Sequence, residues 1–322
     1  MDAAAAVGGG VNRGRWAAGR GRWGRWWAAA ACLLMMGSAA RGATYFVTVA
    51  GLGGEPDYVQ RYTADAATLD KIFKQAGPDA HVLTLSGADA TRAKLSAALA
   101  EVAGAAKPDD DFVLVLIGHG SYDGVEYKFN LIGPDISASE LAAQCNRIAA
   151  RRQLIVDATE ASGGALSALQ SPTRAVIAAT KSGTEKNATV FARYFVEALQ
   201  DPAADLDKNE AISAMEAFEY AQRKVADFYT SQQRLATEHA TNAQPRLLAS
   251  LTLVRFGAAQ QAYSNPALRA LLTKKEELER QIDALNYKKD ALSDEDYKTQ
   301  ITGLLLQLAQ TQKQIDAGGK TP

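Results

Sequence analysis

Two apolar runs, each emptying into small and polar residues, constrain this chain more than any other feature. Phe112-Val113-Leu114-Val115-Leu116-Ile117 leads directly into Gly118-His119-Gly120-Ser121. Further on, Gln153-Leu154-Ile155-Val156 leads into Asp157-Ala158-Thr159-Glu160-Ala161-Ser162-Gly163-Gly164. Short continuous apolar runs of this kind suit strands covered on both faces, as in a parallel sheet. In open α/β sheets, chemistry gathers outside the carboxyl ends of the strands. A histidine on one such loop and a hydroxyl on the next would face each other there.

The flanking sequence supplies the rest of such a fold. Thr44 to Ala50 is β-branched and aromatic, a first strand closed by Gly51-Leu52-Gly53-Gly54. Tyr58, Tyr62, Leu69, Ile72 and Phe73 fall near helical spacing over 57–75, and Gly77-Pro78 ends that helix. His81 to Leu85 reads as a second strand, and 90–105 as a helix with Leu95, Leu99 and Val102 on one stripe. Residues 118–135 read as a loop, and Ser137-Ala138-Ser139-Glu140 as a capping box opening a helix to about 149. Ala175 to Ala179 is a further strand, followed by helices over 187–199 and 211–233. This alternation predicts the α/β class: a three-layer α/β/α sandwich with a mostly parallel sheet over 44–256. Over 257–322 the pattern changes. Leu271, Leu278, Ile282 and Leu285, then Tyr297, Ile301, Leu304, Leu308 and Ile315, repeat at heptad-like spacing in two arms. Ser293-Asp294-Glu295-Asp296 starts the second arm, so the tail predicts an antiparallel coiled-coil helical hairpin able to dock a partner. Its charged stretch Lys274, Lys275, Glu276, Glu277 and Glu279 reads as a solvated face.

The first 43 residues do not belong to that fold. Arg13, Arg15, Arg20, Arg22 and Arg25 precede an apolar run from Trp26 to Met36, and the small residues Gly37-Ser38-Ala39-Ala40 follow. A basic region, an apolar region and a small-residue cleavage region make a secretory signal peptide. The apolar run is short of the roughly 20 residues a membrane span needs, which weighs against an uncleaved anchor. The reading is therefore an exported protein, periplasmic or secreted, with no stable membrane span after cleavage. Cleavage removes six of the 35 basic residues and one of the 36 acids, leaving a net charge near −6. That balance offers no basic patch for nucleic acid. It also removes Cys32, leaving Cys145 as a single thiol that cannot form an internal disulfide. The three histidines, His81, His119 and His239, have no zinc-type spacing.

Strand-Gly-His-Gly, followed by a strand ending Asp-Ala-x-x-x-Ser-Gly, resembles the legumain (asparaginyl endopeptidase) family of cysteine peptidases. Ala50-Gly51-Leu52-Gly53-Gly54, Arg174 to Lys181 and Ala236-Thr237-Glu238-His239 agree with it in order, so the resemblance spans most of 45–245. It implies a caspase-type fold with His119 as general base and acid on the Gly118–Gly120 loop. It also implies a nucleophilic cysteine two residues after the acid Asp157. Thr159 stands there instead. Cys145 lies upstream inside the capped helix and reads as a packing thiol.

The replacement changes the chemistry. A cysteine thiol with a pKa near 8.5 ionises readily beside a histidine. A threonine hydroxyl needs concerted proton removal by an oriented base, and its β-methyl restricts χ1. Glu160 or Asp123 could orient His119, but no spacing rule selects either. Thr159, Ser162 and Gly163 equally suit a strand-to-helix turn. Three functions follow: a pseudo-peptidase that binds peptides or proteins, which the sequence favours; an endopeptidase using Thr159 with His119; or a structural envelope protein acting through its hairpin.

One further motif stands apart. Asp205-Leu206-Asp207-Lys208-Asn209-Glu210-Ala211-Ile212-Ser213-Ala214-Met215-Glu216 matches an EF-hand loop. Asp205, Asp207, Asn209, Ser213 and Glu216 provide oxygens at positions 1, 3, 5, 9 and 12, and Ile212 the aliphatic at position 8. Glu210 occupies position 6, where that loop ordinarily needs glycine. The reading is a calcium site; no other cofactor is implied.

Overall fold

A computed structural model describes residues 42–318 of the chain. The signal-peptide reading lies outside them, apart from Gly42 and Ala43. In chain order the regular elements begin with β1 (Thr44–Ala50), α1 (Pro56–Lys74), β2 (Ala80–Leu85), α2 (Arg92–Ala105) and β3 (Asp111–Ile117). β4 (Gly120–Tyr122), β5 (Tyr127–Phe129), β6 (Ile136–Ser137), α3 (Ala138–Cys145), β7 (Arg152–Asp157), α4 (Leu166–Leu169) and β8 (Arg174–Ala178) follow. Then come α5 (Phe191–Ala198), β9 (Ala211–Ser213), α6 (Ala214–Ser231), β10 (Thr241–Ala243), α7 (Pro245–Ser250) and β11 (Thr252–Arg255). The tail holds α8 (Gly257–Ser264), α9 (Pro266–Tyr287) and α10 (Asp294–Gly318).

The main sheet has six strands in the order β10-β8-β7-β3-β1-β2. All neighbours are parallel except β10, which runs antiparallel to β8 at one edge. The apolar run of β3 shows why a central strand is continuous rather than alternating. Val113, Val115 and Ile117 pack into one buried cluster with Tyr62, Leu69 and Phe73 of α1 and with Phe191 and Phe195 of α5. Phe112, Leu114 and Leu116, on the other face, pack with Leu95 and Leu99 of α2 and Leu141 of α3. Each such side chain contributes about 1.5–3 kcal/mol by leaving water. The α/β class and three layers expected from the sequence are therefore present, with a mostly parallel sheet.

The connections place the site. The chain passes from β1 outward to β2, returns across β1 to β3, and then proceeds in the opposite direction through β7 and β8. The crevice between β1 and β3 is thus a topological switch point, and the loops after β1, β3 and β7 converge around it.

Three departures from the sequence reading have local causes. Residues 118–135 are not a plain loop, because β4, β5 and β6 form a small antiparallel sheet. Strands of two or three residues are too short to carry a period. β9 and β11 likewise pair in a two-stranded ribbon, β9 at the start of the stretch read as the 211–233 helix and β11 near the end of the α/β region, where no strand was read. Glu276 and Glu277 are only in part a solvated face, because each also pairs with an arginine. Glu276 Oε1 lies 2.5 Å from Arg255 Nη2, and Glu277 Oε2 lies 3.6 Å from Arg151 Nη1. Arg269 of α9 adds a pair with Asp79 at 2.7 Å. These contacts hold α9 against the α/β layers, while α9 and α10 form the expected hairpin. Leu278, Leu285 and Thr311 are buried in it.

Candidate functional site

His119 leaves the end of β3, while Thr159 and Glu160 leave the end of β7, one position apart in the parallel register that pairs Leu116 with Asp157. The sheet therefore brings the two loops together as expected. It does not bond His119 to Thr159. His119 Nδ1 lies 2.7 Å from Glu160 Oε1, and Nε2 lies 3.1 Å from the carbonyl oxygen of Gly53 in the loop after β1. Both partners are acceptors, so the ring makes both bonds only as the imidazolium. The hydrogen bond to Glu160 raises its pKa above the ordinary histidine value, against the opposing effect of burial. Tyr58 and Tyr62 of α1 present edge-on contacts to the ring, with centroids 5.0 and 5.5 Å away.

Thr159 is engaged elsewhere. Its Oγ1 donates to Asp157 Oδ1 at 2.8 Å and lies 2.7 Å from the hydroxyl of Tyr127. The Tyr127 hydroxyl also lies 3.1 Å from Asp157 Oδ1, which accepts the Thr159 amide as well. Thr159, Asp157 and Tyr127 are essentially without solvent exposure. Burial raises the Asp157 carboxyl to about 7, and its Oδ2 has no partner, which disfavours the charged form. Burial also pushes the Tyr127 phenol well above its ordinary value.

Gly120 closes this cluster from above. A Cβ at that position would lie 2.5 Å from Thr159 Oγ1 and 2.6 Å from the Glu160 carbonyl oxygen. Only glycine lets the loop after β3 lie this close over the loop after β7. The Thr159 hydroxyl is thus a buried component of the floor, with no surface for an incoming carbonyl. Cys145 cannot replace it. It lies in α3, and burial raises its thiol to about 11.

Glu160 was one of two acids that spacing alone left open as a partner for His119; the structure supplies that contact through the bond at Nδ1. Asp123 instead accepts the amides of Val125 and Glu126. Tyr127 was missed, because its place under Thr159 depends on how β5 folds back. Its only sequence signal is an aromatic within the stretch after the Gly-His-Gly motif.

A second cluster forms where the EF-hand-like spacing pointed. Carboxylate oxygens of Asp205, Asp207 and Glu216 all lie within 4.8 Å of one another, an acidic group able to hold a metal ion. Asp205 is buried and accepts the amides of Asn209 and Glu210. Glu210 takes the left-handed conformation, with φ +60°, that glycine supplies more cheaply at position 6. Ile212 is buried in β9, paired with β11. Ser213 and Glu216 form a capping box at the start of α6. No helix leads directly into the loop: α5 ends at Ala198, and a 3-10 turn over Pro202–Ala204 intervenes.

No family model matches the chain, and no curated protein does. Among solved structures, it is similar to the crystal structure of protein GSU0716 from Geobacter sulfurreducens. That likeness has a TM-score of 0.44 and 14% sequence identity, over 65% of this chain and 96% of that one. No helix among the described residues is long and apolar enough to cross a membrane.

Proposed function

We propose that this protein is a non-catalytic relative of the legumain-like peptidases that binds peptides or proteins at the crevice above β1 and β3. The resemblance rests on the sequence motifs, whose loops follow β3 and β7. One observation carries the loss of catalysis: the Thr159 hydroxyl is buried and engaged by Asp157 and Tyr127, while His119 is engaged by Glu160 and Gly53. A working nucleophile needs its base within hydrogen-bond reach and an open approach for the substrate carbonyl. A peptide-binding role needs neither. Incubation with a peptidyl aldehyde or chloromethyl ketone should leave the mass of the wild-type protein unchanged. A covalent adduct on Thr159 would overturn the reading. The N-terminal pattern supports export, and the mature N-terminus of secreted material should lie near residues 41–44.

The acidic loop supports a second, separate reading, calcium binding. Calcium takes six to eight oxygen ligands, and Asp205, Asp207, Asn209, Ser213 and Glu216 would provide them together with the Ala211 carbonyl. Glu210, in place of glycine, makes the required backbone turn more costly and weakens the site. Calorimetric titration should give a saturable calcium signal in wild type that Asp205→Ala removes. No heat in wild type would contradict the reading.

A further inference from the structure

Four arginines converge where α9 meets the amino ends of β1, β3 and β7. Arg151 and Arg152 stand just before and at the start of β7, Arg255 at the end of β11, and Arg280 on α9. They line one cleft of about 50 Å³. That is several times the ~10–15 Å³ a single water needs.

The carboxylates among them are already divided. Arg152 donates to both oxygens of Asp111, and Arg255 pairs with Glu276. Arg151 and Arg280 share one acid: both approach Oε2 of Glu277, whose Oε1 accepts from Gln281. Three carboxylates thus serve four guanidiniums. Asp109, a further acid on the cleft, is exposed and forms no ion pair among the described residues.

Two donors are left over. Nε of Arg151 and Nε of Arg280 are buried and have no hydrogen-bond partner among the described residues. A buried donor left unpaired is costly, and an ordered water or ion is its usual complement. Charge narrows the choice. Burial, followed by the fields of Arg152 and Arg151, holds the Arg280 guanidinium below its ordinary pKa, yet a guanidinium stays protonated. A water would satisfy a donor and leave that crowded positive charge uncompensated. An anion supplies both acceptors and opposite charge.

We infer that this cleft binds a small tetrahedral oxyanion of the phosphate or sulfate class, received by Arg151 and Arg280 at the seam between the hairpin and the sheet. Guanidinium forks take such oxygens in pairs. The small volume suits a free ion rather than a phosphate carried on a larger molecule. Arg280 belongs to α9 and Arg151 adjoins β7, so one ion bridges the two and stabilises the seat of the hairpin.

The test is calorimetry on the full protein with inorganic phosphate and inorganic sulfate, in calcium-free buffer with ionic strength held by sodium chloride. Wild type should bind each saturably at one site, and phosphate should raise hydrogen-exchange protection in α9 while leaving β3 unchanged. Arg280→Gln should weaken phosphate binding at least ~10-fold. Arg151 is half-exposed, so Arg151→Gln should fold even if Arg280→Gln does not, and it should weaken binding in the same direction. Asp109→Asn removes a negative charge from the rim and should tighten binding. No saturable heat in wild type, or undiminished binding by Arg151→Gln, would overturn the inference. A phosphoserine peptide that binds as tightly as free phosphate would overturn the assignment of a free ion.

Discussion

At the level of single residues, two protonation states define the site. The hydrogen bonds to Glu160 and Gly53 favour the charged form of His119, and burial holds Asp157 toward its neutral form. Both shifts are upward, and their signs agree. A histidine with a raised folded pKa contributes stability that is complete below its unfolded value near 6.5 and is lost as pH rises through the folded value. The buried carboxyl prefers its proton, so the folded state loses ground as pH climbs from the unfolded value near 4 to about 7. Thermal melts of wild type should therefore show stability falling as pH rises from about 4 to 7 through the Asp157 carboxyl, with the His119 contribution lost above its unfolded value near 6.5. Asp157→Asn, which keeps an acceptor for Thr159 but cannot ionise, should flatten the lower part of that slope. An Asp157→Asn protein with the same slope as wild type would refute the assignment. Gly120→Ala should destabilise by about 1–3 kcal/mol in urea titrations, because its methyl would enter the space of Thr159 and Tyr127.

At the level of elements, β3 and β7 were legible because a strand covered on both faces leaves an unbroken apolar run. Leu114→Ala in β3 should cost about 2–5 kcal/mol, since Leu114 is fully buried and neighbours on either side limit collapse. The acidic loop was legible for a different reason, since its oxygen spacing is fixed by local backbone turns. Its cap is local too: Ser213→Ala should cost about 1 kcal/mol without calcium, because Ser213 Oγ receives the Glu216 amide. If calcium binds, a concentration 100-fold above Kd should add about 2.7 kcal/mol to wild type and nothing to Asp205→Ala. The small sheet of β4–β6 was not legible. Its register depends on Gly120 meeting Phe129 and on Tyr127 reaching under β7, both non-local.

At the level of the whole molecule, the heptad pattern of α9 and α10 indicated a hairpin but not its seat. Sequence periodicity shows which residues of a helix pair face each other, and it is silent on long-range ion pairs such as Arg269–Asp79. Arg255 has a particular place here, pairing with Glu276 and lying over the Tyr263 ring at 3.9 Å. Arg255→Ala should lower hydrogen-exchange protection in α9 and leave β3 unchanged. Unaltered α9 protection would show that other contacts seat the hairpin.

We propose that the switch-point crevice is that of a peptidase relative which binds without cutting. The most direct measurement is turnover of a peptide library rich in Asn and Asp by wild type, alongside His119→Ala and Thr159→Cys. No cleavage by wild type, with His119→Ala indistinguishable from it, is the expected result. Cleavage by wild type that His119→Ala abolishes would contradict the claim.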